Sequence, residues 1–126
     1  MMKRIIHTES APAAIGPYSQ AVEAAGTLYL SGMLPIDPIS GAMIGDTAAA
    51  QAEQILRNIR ALLGAEGLTL RSVVKATLFL CDLADFAAVN EVYGAAFSTE
   101  PPARSCVEVS ALPKGALVEM ECIACR

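Results

Sequence analysis

The sequence predicts an α+β domain in which two helices cover one face of a mixed sheet. Three observations carry this: apolar residues at helical spacing over 52–63, a second helical stripe over 86–97, and period-two alternation in the segments around them. The order of strands, helix, strand, helix, strands then places both helices on the same side. A chain of 126 residues is one domain of ordinary size, long enough for a hydrophobic core without disulfide or metal staples, so residues 1–126 are read as a single unit.

The elements follow in order. "KRIIHT" reads as a first strand, with His7 at its edge. "TLYLSG" at 27–32 is a short strand, and Ala24, Ala25 and Gly26 turn the chain back against residues 19–22. The stretch 34–45 holds two prolines and two glycines and reads as loop with at most one short strand. From Thr47 onward Ala52, Ile55, Leu56, Ile59, Leu62 and Leu63 define one helix face, with Gln51, Gln54, Arg57, Asn58 and Arg60 on the others. Asp46 or Thr47 caps its start and Gly67 its end. Residues 72–80 form a buried strand, and a second helix starts near Asp85 with Phe86, Val89, Tyr93 and Phe97 in one stripe. Asn90 falls within that stripe, so its amide either braces a loop or meets a ligand.

The last quarter of the chain mixes apolar and charged positions. In "RSCVEV" alternation puts Arg104, Cys106 and Glu108 on one face and Ser105, Val107 and Val109 on the other. In "LVEMECIA" it puts Leu117, Glu119, Glu121 and Ile123 opposite Val118, Met120, Cys122 and Ala124. The uniformly apolar faces are expected to meet the helices, leaving Arg104 and Glu119 on faces that point away from them. The loop at 110–116 is too long to fix the register of these strands.

Composition narrows the function classes. A net charge of −4, with Lys3 and Arg4 the only adjacent basic pair, lacks the footprint of a nucleic-acid binder. No segment approaches the ~20 apolar residues of a membrane span, and "MMKRIIHTES" lacks the apolar core of a secretory signal, so a cytoplasmic protein is expected. Cys122 and Cys125 form a C-x-x-C, but on a strand positions three apart face opposite ways, and one histidine builds no zinc site. No metal and no cofactor is therefore expected. A hydrophobic fraction of 54% exceeds the about 45–50% usual in globular chains and points to apolar surface in a subunit interface.

The segments "APAAIGPYSQAV", "YLSGMLPIDPISG", "DFAAVNEVYGAAF" and "PPARSCVEVSALPKGALVEMECIA" resemble the RidA family of reactive-intermediate deaminases over nearly the whole chain. The resemblance implies a chorismate-mutase-like fold and a homotrimer whose sheets surround a central barrel, with clefts between neighbouring subunits. It also implies hydrolysis of imine and enamine products of pyridoxal-phosphate enzymes, such as 2-aminoacrylate and its imine tautomer, to 2-keto acids and ammonia. By the family motif Arg104 holds the substrate carboxylate, helped by backbone around Gly32 and Cys106, and Glu119 positions the attacking water. Tyr18, Ser31 and Asn90 line the cleft. Three positions depart from the family pattern: Met33 replaces a glutamine, the segment between Tyr93 and Arg104 is shorter, and Pro101 replaces an aromatic or aliphatic residue.

The implied chemistry is sound without the name. Imine hydrolysis needs water delivered to a C=N carbon, which one carboxylate can do as general base, while a guanidinium fork binds a carboxylate through two parallel hydrogen bonds. Cys106 as a nucleophile is the weaker reading, because only Arg104 could activate it and no histidine partner is indicated. Three other functional classes compete: a metabolite-binding regulator that keeps Arg104 without using Glu119 on water, and the RNA-cleaving translation inhibitor and holdase-like chaperone described for some relatives.

Overall fold

The computed structural model describes residues 2–126. A six-stranded sheet runs in the order β1-β2-β3-β6-β4-β5, formed by β1 (Arg4–Ile6), β2 (Ala21–Ala24), β3 (Thr27–Met33), β4 (Val73–Leu80), β5 (Ala103–Glu108) and β6 (Val118–Cys125). Helices α1 (Ala48–Ala65) and α2 (Phe86–Ala96) lie over one face of it. Neighbouring strands are antiparallel except β4 and β5, which α2 connects in parallel. The predicted α+β class is therefore observed.

Local chemistry explains the joints. Ala25 and Gly26 both take positive φ (51° and 81°) in the two-residue turn between β2 and β3, the geometry that matches the twist of a hairpin. Of the two cap candidates for α1, Thr47 is the one used: its hydroxyl accepts from the Ala50 amide at 3.1 Å. At the other end Gly67 adopts φ 73°, and the amides of Gly67 and Leu68 close onto Gly64 and Leu63. Between these ends Ile55, Ile59, Leu62 and Leu63 are fully buried against Leu28, Leu78, Leu80, Val118 and Met120.

Of the polar residues off the apolar face of α1, Gln51, Gln54 and Asn58 are buried, because they satisfy loops that cross the helix. Asn58 Nδ2 donates to the carbonyls of Leu34 (3.2 Å) and Ile36 (2.9 Å), and Gln54 Nε2 donates to Asn58 Oδ1. Gln51 Nε2 donates to Gly45 O while its Oε1 accepts from the Leu117 amide at 2.7 Å. Buried Gln20 does the same for the N-terminal loop, donating to Thr8, Ala11 and Pro12 carbonyls and accepting from the Thr8 amide. A buried amide left without partners is costly, so these side chains hold both loops in one geometry.

Arg4 and Arg126 share the carboxylates of Glu23 and Glu66, joining β1, β2, the end of α1 and the residue after β6. His7 is exposed beyond β1, Cys122 is buried and Cys125 exposed, so the C-x-x-C pair does not converge. No helix among the described residues is long and apolar enough to cross a membrane.

Candidate active site

The site residues divide into two groups. The first gathers around a bulge in β3. Leu30 pairs with Cys122 and Met33 with Met120, so three steps along β3 face two along β6, and the extra residue falls at Ser31 and Gly32. Glu119 of β6 lies against that bulge. A methyl group added at Gly32 would overlap Glu119 Oε2 and lie 2.9 Å from its Cδ, so glycine is what gives the carboxylate its place.

Beside it runs a groove of about 260 Å³ lined by Tyr18, Ser31, Gly32, Met33 and the loop residues Ile15, Ile36, Ile39 and Lys114. These are the loops that Gln20 and Asn58 hold. Ser31 Oγ donates to Ser19 O at 2.6 Å, which commits its proton to structure and leaves only lone pairs for a ligand. Tyr18 OH accepts from the Ile15 amide at 3.4 Å, and its own proton stays available. Met33 is 7% exposed and belongs to the core as well as to the groove wall, so it puts an apolar thioether at the inner edge of the groove.

Glu119 is half-buried. Burial pushes its carboxyl above the usual range, and Glu121, two residues along the same face, pushes it further the same way. Its proton affinity is thereby moved toward that of a useful general base at neutral pH.

The second group lies on the other side of the sheet. Arg104 of β5 reaches over α2, with Cζ 4.8 Å from the Tyr93 ring centroid and 5.4 Å from that of Phe86. Its Nη1 donates to Asn90 Oδ1 at 2.7 Å. Cys106 sits two residues along on the same face, half-buried, and burial raises its thiol against the weaker opposing pull of Arg104. The thiol is therefore not activated as a nucleophile. Asn90 is exposed rather than buried, and its partner is the guanidinium.

This corrects the expected placement of β5. Arg104 and Cys106 face the helices, and Val107 points to the uncovered side, where it is 42% exposed. The reason is the position of β5 at the sheet edge, over α2 instead of the central core: there a guanidinium can lie on aromatic faces and keep its donors outside. Val107 then pairs through Phe79 with Glu119 on the opposite face. Arg104 is paired through Ala76 with Cys122, three positions from Glu119 along β6 and two strands across. That is about 10 Å along the sheet and about 10 Å across it, on opposite faces. Among the described residues no carboxylate reaches Arg104 within ion-pair distance, so pairing with Glu108, Glu119 or Glu121 does not occur within the chain. Glu108 accepts instead from the Leu83 amide.

Phe86 and Tyr93 were read from the sequence as core residues only, and their contact with Arg104 had no local signal. Gly32 had one, since a glycine inside a strand pattern marks a bulge or a close approach of another group.

Fold and site together define a small α+β chain with a guanidinium on one sheet face and a partly desolvated carboxylate on the other. The chain belongs to the family described as endoribonuclease L-PSP, whose model matches residues 8–126. Protein DfrA of Myxococcus xanthus is 52% identical, covering 98% of this chain and 96% of that protein. The 2-iminobutanoate/2-iminopropanoate deaminase of Capra hircus is 50% identical, covering 98% and 90%. Among solved structures, RidA from the Antarctic bacterium Psychrobacter sp. PAMC 21119 superimposes with a TM-score of 0.93 at 47% identity, covering 98% of this chain and 99% of that one.

Proposed function

We propose that this protein hydrolyses 2-imino acids and their enamine tautomers to 2-keto acids and ammonia, as a trimer in which Arg104 of one copy and Glu119 of the next face one substrate. The observation that carries the reading is the division of the site: the two groups that the chemistry needs are held ready on opposite faces of one chain, so only a second copy brings them together. A surface for that copy exists. Tyr29 (47% exposed) and Val107 lie on the uncovered sheet face with half-buried Phe79 and Ile123, where a water-facing sheet would be polar. The goat relative's name states the same reaction class.

In this reading the Arg104 fork binds the substrate carboxylate, with backbone near Gly32 and Cys106 completing the contact, and Tyr18 and Asn90 border the cleft. Ser31 contributes by holding the bulge against Ser19. Glu119 orients a water at the iminium carbon and takes one of its protons as the C–O bond forms and the C=N electron pair moves to nitrogen. The carboxylic acid then returns that proton to the amine nitrogen. The C–N bond breaks, its electrons leave with ammonia, and the hydroxyl passes its proton to the restored Glu119 carboxylate, which releases it to solvent or ammonia, leaving the keto oxygen. Water, substrate and these side chains balance the reaction.

RNA cleavage, the activity in the family's description, has less support here: the net charge is −4 and Arg4 and Arg126 are neutralised by Glu23 and Glu66. The test is to generate 2-aminoacrylate with a serine or threonine dehydratase and follow imine decay with and without the protein. Acceleration at trace protein is expected. No acceleration at micromolar protein, with a 2-keto acid still bound, would move the assignment to a metabolite-binding regulator.

A further inference from the structure

We infer that the ring faces of Tyr93 and Phe86 form a bed that fixes the Arg104 fork for an incoming carboxylate, making both of them positioning residues. The inference rests on the carboxylate-binding role proposed for Arg104. Three features of the structure lead to it.

The first is the choice of partner. A flexible arginine is usually immobilised by a carboxylate, but a carboxylate would neutralise the charge and occupy the donors that a substrate needs. Ring faces attract the cation and consume no N–H group. Here the guanidinium lies within 4.8 Å and 5.4 Å of two ring centroids, and its single hydrogen bond runs from Nη1 to Asn90. Nε and Nη2 have no partner among the described residues.

The second is that the bed is itself fixed. Tyr93 is 6% exposed and its ring meets that of Phe97 at 4.6 Å with a 40° tilt, so it has little freedom to turn away. Phe86 is half-buried at the start of the same helix. The third is the Tyr93 hydroxyl, which is buried without a hydrogen-bond partner, alone among the described side chains. The hydroxyl gives Arg104 no hydrogen bond, and it is the ring face that lies 4.8 Å from the guanidinium carbon. The ring face is thus the part of Tyr93 that serves Arg104.

The experiment compares Tyr93→Leu and Tyr93→Phe with the unmodified protein, reading kcat and KM in the dehydratase-coupled assay, the Kd of 2-oxobutanoate by calorimetry, and assembly mass by light scattering. Tyr93→Leu should raise KM and Kd together by about 10-fold, with kcat within about 3-fold, because the cation keeps its charge and loses its orientation. Tyr93→Phe keeps the ring and should restore binding to within about 2-fold. If Tyr93→Leu does not fold, Phe86→Leu carries the same comparison at a half-buried position. A folded Tyr93→Leu protein that binds 2-oxobutanoate like the unmodified one overturns the inference and leaves the deaminase reading intact. An unmodified protein that neither binds 2-oxobutanoate nor hydrolyses the imine overturns both.

Discussion

Glu119→Gln is expected to lower turnover by about 10²-fold or more while a 2-keto acid still binds. The substitution keeps size and hydrogen bonding but removes basicity, and general-base catalysis by a placed carboxylate is typically worth ~10²–10⁴. Because burial raises the Glu119 pKa, the remaining behaviour has a defined sign. Turnover by the unmodified protein should fall as pH drops through that raised value, since only the carboxylate can take the proton from water. Stability moves the other way. A carboxyl whose folded pKa lies above its unfolded one contributes most below the unfolded value, and the contribution is lost as pH rises through the folded value. Glu119→Gln should therefore melt higher than the unmodified protein at neutral pH, with the gap closing toward pH 4. Activity lost and stability gained by one substitution is the mark of a group held for chemistry rather than packing. Near-normal turnover in Glu119→Gln would move the water-handling role to Glu121, which is exposed on the same face.

Arg104→Ala is expected to lose about 30-fold or more in kcat/KM toward imines that carry a carboxylate, because truncating one partner of a charge-assisted contact costs roughly 2–5 kcal/mol. Arg104→Lys should recover little, since an ammonium retains charge but cannot present two parallel donors and packs poorly on ring faces. The competing view makes Arg104 an interface strut paired with a glutamate. Within the chain its partners are Asn90, Phe86 and Tyr93, all on α2, and none is a carboxylate. Assembly mass should accordingly be unchanged in Arg104→Ala, and dissociation into monomers would favour the strut.

How these residues could be seen in advance depends on what each one's position obeys. The core face of α1 and the inward set Val118, Met120, Cys122 and Ala124 follow from periodicity alone, because each is buried by its own element's packing. β5 does not follow. Alternation sorts Arg104 from Val107 but is silent on which side meets the helices, and the answer lies in the aromatic stripe of α2, where Tyr93 and Phe86 stand well before Arg104 in sequence. Gln51, Gln54 and Asn58 have ordinary solvent-facing chemistry and are buried only because Leu34, Ile36, Gly45 and Leu117 bring backbone groups to them. Polar burial is thus set by partners distant in sequence, which a local pattern cannot display. Glu119 was found through the family motif, and its seat against Gly32 appears only once the bulge between β3 and β6 is seen.

The most direct test of a site shared between two copies is subunit mixing. Arg104→Ala and Glu119→Gln chains, each strongly impaired as a pure assembly, are unfolded together in equal amounts, refolded and assayed beside each variant refolded alone. If each site takes Arg104 from one copy and Glu119 from the next, random assembly gives both intact groups at about one site in four, and about a quarter of the unmodified activity returns. If the two side chains act from a single chain, every site lacks one of them, and the mixture stays at the low residual activity of its components.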